Sequence, residues 1–141
     1  MLLLPDDATT TKLHSLNGQL QDGDIIFHTS TSHQSKAIQI ATESEYSHMG
    51  IIYRQKGELY VFEAVQKVKL TKLSDWIRKG ENQKYVVKRI KNAKELINSE
   101  SLSRMKKAGE RFLEKNTISI LNGPTKIYTV RNWFGKYIRK L

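Results

Sequence analysis

The 141-residue chain contains no cysteine. That absence excludes disulfides, thiolate metal sites and a thiol nucleophile encoded in these residues. It says little about redox compartment, because exported bacterial proteins also lack cysteine. No apolar run approaches the roughly 20 residues of a membrane span, so no transmembrane segment is expected. Met1 to Leu4 is a short apolar start cut off by Pro5-Asp6-Asp7. It has no basic leader and no apolar stretch of secretory length, so no complete signal peptide is read. As written the chain reads as cytoplasmic, and its localisation stays undetermined. Internal repeats and low-complexity linkers are absent too.

What is present fits one small globular domain: 38% hydrophobic and 27% charged residues, with length for a single core. The net charge of +10 brings nucleic acid or an anionic membrane surface to mind. Its distribution argues otherwise. Residues 117–141 carry Lys126, Arg131, Lys136, Arg139 and Lys140 and no acid, leaving 19 basic against all 14 acidic residues, a net +5, for residues 1–116. The excess is concentrated in a tail that needs its own explanation, and no specific nucleic-acid role is expected.

Residues 8–19 are polar and read as an irregular lead-in. Asp22-Gly23 reads as a turn and Asp24–His28 as a short strand. Ser32–Thr42 has Ala37, Ile38 and Ala41 at helical spacing behind serine caps. His48–Arg54 and Leu59–Val65 are strands joined by Gln55-Lys56-Gly57-Glu58, a hairpin with a glycine suited to positive φ. Val68–Leu70 continues the strand pattern. Leu73–Lys79 reads as a short helix closed by Gly80, and Lys84–Ile90 as a further strand. Ser99–Lys115 is an amphipathic helix turning Leu102, Met105, Ala108, Phe112 and Leu113 inward. Thr117–Leu121 reads as a strand and Asn122-Gly123-Pro124 as a turn. Trp133–Leu141 is basic and aromatic.

The hairpin carries the chemistry. With Lys56-Gly57 as a two-residue loop, His48, Gly50, Ile52, Val61, Glu63 and Val65 share one face. Met49, Ile51, Tyr53, Tyr60, Phe62 and Ala64 share the other. Both faces are apolar, so the hairpin is expected to be buried on both sides. His48 and Glu63 are its strongly polar side chains, within diagonal reach. A buried carboxylate costs several kcal/mol unless paired. A neighbouring imidazole supplies the partner, and the carboxylate fixes its tautomer. The pair reads either as the base and orienter of a nucleophilic triad or as a structural polar pair. A register slip of one residue would separate the two groups.

Other candidates are weaker. His28, His33 and His48 form a conceivable metal set with no carboxylate or cysteine pattern to support it, so neither metal nor cofactor is expected. Ser30, Ser32, Ser35 and Ser47 lack the strand–Gly-x-Ser-x-Gly–helix context of a serine nucleophile; loop polarity or helix capping suits them better. The lysine-rich stretch 84–94 reads as a solvated face.

The ordered set Gly23-Asp24-Ile25-Ile26-Phe27, Gln34-Ser35-Lys36-Ala37-Ile38-Gln39, Tyr46-Ser47-His48-Met49-Gly50-Ile51, Tyr60-Val61-Phe62-Glu63-Ala64-Val65, Trp76-Ile77 and Tyr85-Val86-Val87-Lys88-Arg89 resembles the permuted papain-like cysteine hydrolases. These are the YiiX-like branch of the NlpC-type amidases and peptidases. The resemblance covers roughly Gln21 to Leu113. It implies an α+β fold, a small antiparallel sheet or half-barrel with flanking helices. It makes His48 the general base and Glu63 its orienter, and assigns Gln34, Ser35, Tyr46 and Ser47 to an open groove. It implies amide, peptide or acyl substrates, with cell-wall peptide or an acyl-amide lipid as ligands. Export is common among members. A non-catalytic lipid- or peptide-binding module, or a basic tail that binds nucleic acid or membrane, is the alternative.

The family's nucleophile comes late, in a Tyr-Cys-Ser-Glu-Leu segment opening a helix. Here TISILNGPTKIYTVRNWFGKYIRKL stands instead. Permitted codons for residues 117–141, read from the last base of the Asn116 codon, spell YDIYFEWSDENIYCSELVWKVYKKA. The cysteine codon then bridges Thr129 and Val130. First and second codon bases are mostly dictated by the residues, and Glu114-Lys115-Asn116 permits an A-rich run where one base is readily lost. The expected organisation is therefore a lead-in (1–20), a partial hydrolase domain (21–116) and an out-of-frame basic tail (117–141). Without the cysteine-bearing helix, the sheet is expected to be under-packed and prone to self-association.

Overall fold

A computed structural model describes residues 18–114. Most of the expected lead-in lies outside the described residues, as do strand 117–121, turn 122–124 and the basic tail. The elements run β1 (Ile25–His28), α1 (Ser35–Thr42), β2 (His48–Gln55), β3 (Glu58–Ala64), β4 (Val68–Lys72), α2 (Leu73–Arg78), a 3-10 turn (Glu81–Gln83), β5 (Val86–Lys88), α3 (Ala93–Leu96) and α4 (Ser99–Glu110). The strands form one open sheet of order β4-β3-β2-β1-β5. β1 is antiparallel to both neighbours, with Ile26 opposite Gly50 and Val87. The expected α+β class and antiparallel sheet are observed, and the sheet is not closed.

Two compact units share this chain. The first comprises residues 18–61 and 71–89, the second 62–70 and 90–114, so β3 and β4 contribute to both. The first unit holds the core cluster Leu20, Ile26, Ile52, Leu59, Val61, Leu73 and Trp76, with Ile77, Tyr85 and Val87 packed on it. Each such side chain contributes about 1.5–3 kcal/mol on burial. Strand alternation does the sorting: Ile26 on β1, Ile52 on β2 and Leu59 and Val61 on β3 are period-2 positions of one face. The hairpin is buried on both sides as expected, since Ile51, Tyr53 and Phe62 on the opposite face are buried as well.

In the second unit, α4 starts at a capping box. The Asn98 side chain accepts from Ser101 N–H, and the Ser101 hydroxyl accepts from Asn98 N–H. Leu102, Met105, Ala108, Phe112 and Leu113 are half-buried. The buried position is Gly109, where a Cβ would lie 3.2 Å from the Phe62 ring. The helix ends at Glu110 rather than Lys115; past it Glu114 N–H donates to Val68 O at 2.9 Å.

Several local expectations are corrected. α1 begins at Ser35 with Gln34 as N-cap and no side-chain cap bond, so the serines do not cap it. Ala37, Ile38 and Ala41 are exposed and the buried residue is Ser35, because polar bonds rather than an apolar stripe hold this helix. Val65 falls beyond β3 and is 50% exposed. β5 keeps only three residues of the expected seven. Gly80 does not close α2 with positive φ: its φ is −77° and Lys79 is the C-cap.

The expected two-residue loop is present. Lys56 and Gly57 connect β2 to β3 with φ of 51° and 82°, the mirror-image turn whose twist matches a hairpin. Left-handed backbone costs a side-chain-bearing residue about 1–2 kcal/mol. Gly57→Ala should therefore destabilise the protein by about 1 kcal/mol, and Lys56→Asn should stabilise it slightly. Urea unfolding of both variants checks the opposite signs.

Candidate functional site

His48 opens β2 and is half-buried. Three devices hold the chain just before it. Ser47 N–H donates to His28 O at 3.2 Å. The Ser47 hydroxyl accepts from Ser30 N–H at 2.8 Å and from the Ser35 hydroxyl at 2.6 Å. The preceding turn is fastened by Thr29 Oγ1 and Gln39 Nε2, each donating to Glu45 O at 2.7 Å. The start of α1, the end of β1 and the start of β2 thus converge on one buried hydroxyl. Ser47→Ala should cost about 1–3 kcal/mol, the penalty for leaving buried donors unsatisfied. Ser35→Ala should cost less, because Ser47 Oγ keeps its bond from Ser30. Chemical denaturation of the two variants measures the order.

The His48 ring meets two other aromatic rings. His28 is its cross-strand partner, and the two imidazoles lie 5.3 Å apart between centroids. The Trp76 indole, from α2, stacks on His28 at 3.8 Å and 16° and faces His48 at 5.8 Å and 28°. Trp76 is fully buried and His28 nearly so. Gly80 closes on His28: a Cβ there would sit 2.8 Å from Nδ1 and 3.1 Å from Cβ and Cγ. That close approach, rather than a helix stop, accounts for the glycine.

Glu63, the penultimate residue of β3, is 2% exposed. Two residues along from Val61, it emerges on the same side of its strand as that core residue. His48, four residues before Ile52 on β2, likewise lies on the side of that core residue. The other expected site residues fall in different surroundings. Tyr46 is half-buried, its ring 6.0 Å from that of Phe27. A side-chain hydrogen bond with Glu45 raises its phenol above the usual range. Ser35 and Ser47 meet directly. Gln34 is exposed at the N-cap of α1, and His33 is exposed in the turn before it.

Sequence reasoning missed two members of this arrangement. Trp76 read as part of a short helix and Gly80 as its terminator. Period-2 counting along β1 puts His28 on the face of Ile26, but nothing local shows that the face ends against α2. Among the described residues no group of three His, Cys, Asp or Glu side chains is arranged to hold a metal ion. His28 and His48 are adjacent, and His33 does not join them.

Residues 19–116 match a family described as permuted papain-like amidase enzyme, YaeF/YiiX, C92 family. The chain is 45% identical over 97 residues to the uncharacterized protein YiiX of Escherichia coli K12, covering 69% of this chain and 46% of that one. A crystal structure titled as the metalloprotein yiiX from Escherichia coli O157:H7 superposes with a TM-score of 0.65 at 46% identity, covering 70% of this chain and 53% of the other. The chain thus spans about half the length of the relatives it matches.

Proposed function

The chain belongs to the permuted papain-like amidase family, and we propose that its residues 21–116 are the base-bearing part of a thiol hydrolase acting on amide, peptide or acyl bonds. In this reading His48 is the general base and Glu63 orients it. The observations that carry it are a buried carboxylate on β3 and a half-buried imidazole at the start of β2, where Ser47 fastens the backbone just before it. A carboxylate at 2% exposure is stable only when paired and hydrogen-bonded.

The chemistry is a two-step acyl transfer. His48 takes the proton of a thiol. The thiolate attacks the carbonyl carbon, and backbone N–H groups beside it stabilise the oxyanion. The leaving amine receives the proton from the imidazolium. Water, deprotonated by the same imidazole, then releases the acid. The 141 residues contain no thiol, so we assign the nucleophile to the second reading frame of residues 117–141, and these residues as written perform no thiol-dependent hydrolysis. The substrates this reading implies are cell-wall peptides or acyl-amides. A similar structure carries the word metalloprotein in its title. Among the described residues the adjacent His28 and His48 would offer two nitrogens, short of a ligand set.

The test compares the chain as written with one re-encoded in the second frame, on N-acyl amide and peptide substrates with and without iodoacetamide. Iodoacetamide-sensitive turnover is expected only from the second. Turnover of that kind by the chain as written would overturn the reading. So would a stop codon in the second frame of the coding DNA after Lys115.

A further inference from the structure

We propose that Trp76 and His28 are positioning residues that set the plane of the His48 imidazole, with Gly80 as the backstop that holds His28 against the indole. The inference rests on the reading of His48 as a base.

A base must present one ring nitrogen along a defined direction, and displacement of about 1 Å can cost about 100-fold in rate. A strand position by itself fixes the Cα and leaves the side-chain torsions free. Here flat faces restrict them. The indole lies 5.8 Å from the His48 ring at 28°. The His28 ring lies 5.3 Å from it at 38°. Trp76 is in turn held by the 3.8 Å stack on His28. His28 is held by its strand pairing with His48 and by Gly80 behind it. The rings therefore support one another in a closed set, all drawn from the first compact unit.

Two features separate this from ordinary core packing. Gly80 has an ordinary φ of −77°, so its backbone conformation suits any residue. What excludes a side chain there is the imidazole of His28. Trp76 Nε1 is buried and makes no hydrogen bond among the described residues. A buried donor left without an acceptor is destabilising, which a phenyl or aliphatic side chain would avoid. The indole is thus a costly way to fill the volume, and its broad flat face is what an aliphatic residue cannot supply.

The experiment is NMR of the histidine ring protons in the full 141-residue chain, comparing His28→Leu, His28→Phe and Gly80→Ala. The expected result is that His28→Leu changes the ring-current displacement of the His48 protons, as the ring turns relative to the indole that still faces it, and leaves those of the exposed His33 unchanged. His28→Phe, which keeps a stacking ring, restores it. Should His28→Leu fail to fold, Gly80→Ala gives the same readout by displacing His28 without touching His48. His48 signals unchanged in a folded His28→Leu or Gly80→Ala chain would overturn the proposal. In the re-encoded chain, His28→Leu should lower kcat about 10- to 100-fold with KM unchanged, and His28→Phe should recover most of it. Equal loss in both variants would also overturn it. If the re-encoded chain hydrolyses nothing at all, the base assignment fails, while the ring signals still decide whether Trp76 and His28 hold His48.

Discussion

Replacing His48 by alanine in the re-encoded chain is expected to reduce thiol-dependent hydrolysis by about 10²- to 10⁴-fold, the contribution of a well-placed general base. Glu63→Gln should follow with a smaller loss in kcat and little change in KM, because an orienting carboxylate acts through the imidazole and not on the substrate. The double variant should lose scarcely more than His48→Ala, since groups that work as a unit are not additive. The structural basis is local to each strand. His48 begins β2 where Ser47 ties three segments together. Glu63 sits two positions beyond the core residue Val61. Initial rates at saturating and limiting substrate separate the outcomes. Retention of full activity in Glu63→Gln would remove it from the proposed site. A Ser47→Ala chain that folds should show a milder defect, as its loss loosens the approach to His48 without removing the base.

The largest stability effect should come from a pair away from this chemistry. Asp24 is 1% exposed, and its carboxylate accepts from Arg89 Nε at 2.7 Å, from Arg89 Nη2 at 2.8 Å and from Gln21 N–H at 2.9 Å. Arg89 also donates to Gln19 O at 2.8 Å. The fork therefore ties the residue just past β5 to the segment leading into β1. The hydrogen bond that Arg89 donates to Asp24 is the main cause of an upward shift in its guanidinium. Removing one partner of a buried pair costs about 3–5 kcal/mol, because the other is left as an uncompensated charge. The Arg89 side chain is 40% exposed, so water relieves part of this, and the lower end applies. Arg89→Leu should lose about 3 kcal/mol, a large share of the roughly 5–15 kcal/mol that small domains possess. Asp24→Asn should cost less, since the buried residue is then neutral. Combined with Arg89→Leu, it should be less than additive. Urea unfolding gives all three values, and a loss in Arg89→Leu below about 1 kcal/mol, the range of exposed pairs, would show that the fork is a surface contact.

How much of this was readable beforehand depends on sequence distance. The hairpin was read correctly because it is local: Lys56-Gly57 turns the chain, and alternation then assigns both faces over the next few residues. The helix at 99 was read from its apolar spacing, although its start uses an Asn98–Ser101 box and its end came early, at Glu110. α1 was read as a helix for the wrong reason. Its apolar residues Ile38 and Ile40 are exposed, and what anchors it is the Ser35–Ser47 hydroxyl bond, which no helical pattern encodes. Gly80 was misread because a glycine after a short helix is more often a C-cap than a clearance for a distant ring.

Composition and motif order in the chain alone determined the absence of a thiol, the charge imbalance of residues 117–141, the α+β class and the candidacy of His48 and Glu63. Each of these rests on residue identity or on spacings short enough for backbone geometry to carry. Only the tertiary structure decided that His28 lies beside His48, that Trp76 covers both, and that Asp24 is clamped by a residue 65 positions away. Those neighbours follow from the pairing of β1 with β2 and β5. Strand pairing between segments separated by helices is chosen by burial of the whole core, so no local stretch of sequence specifies it.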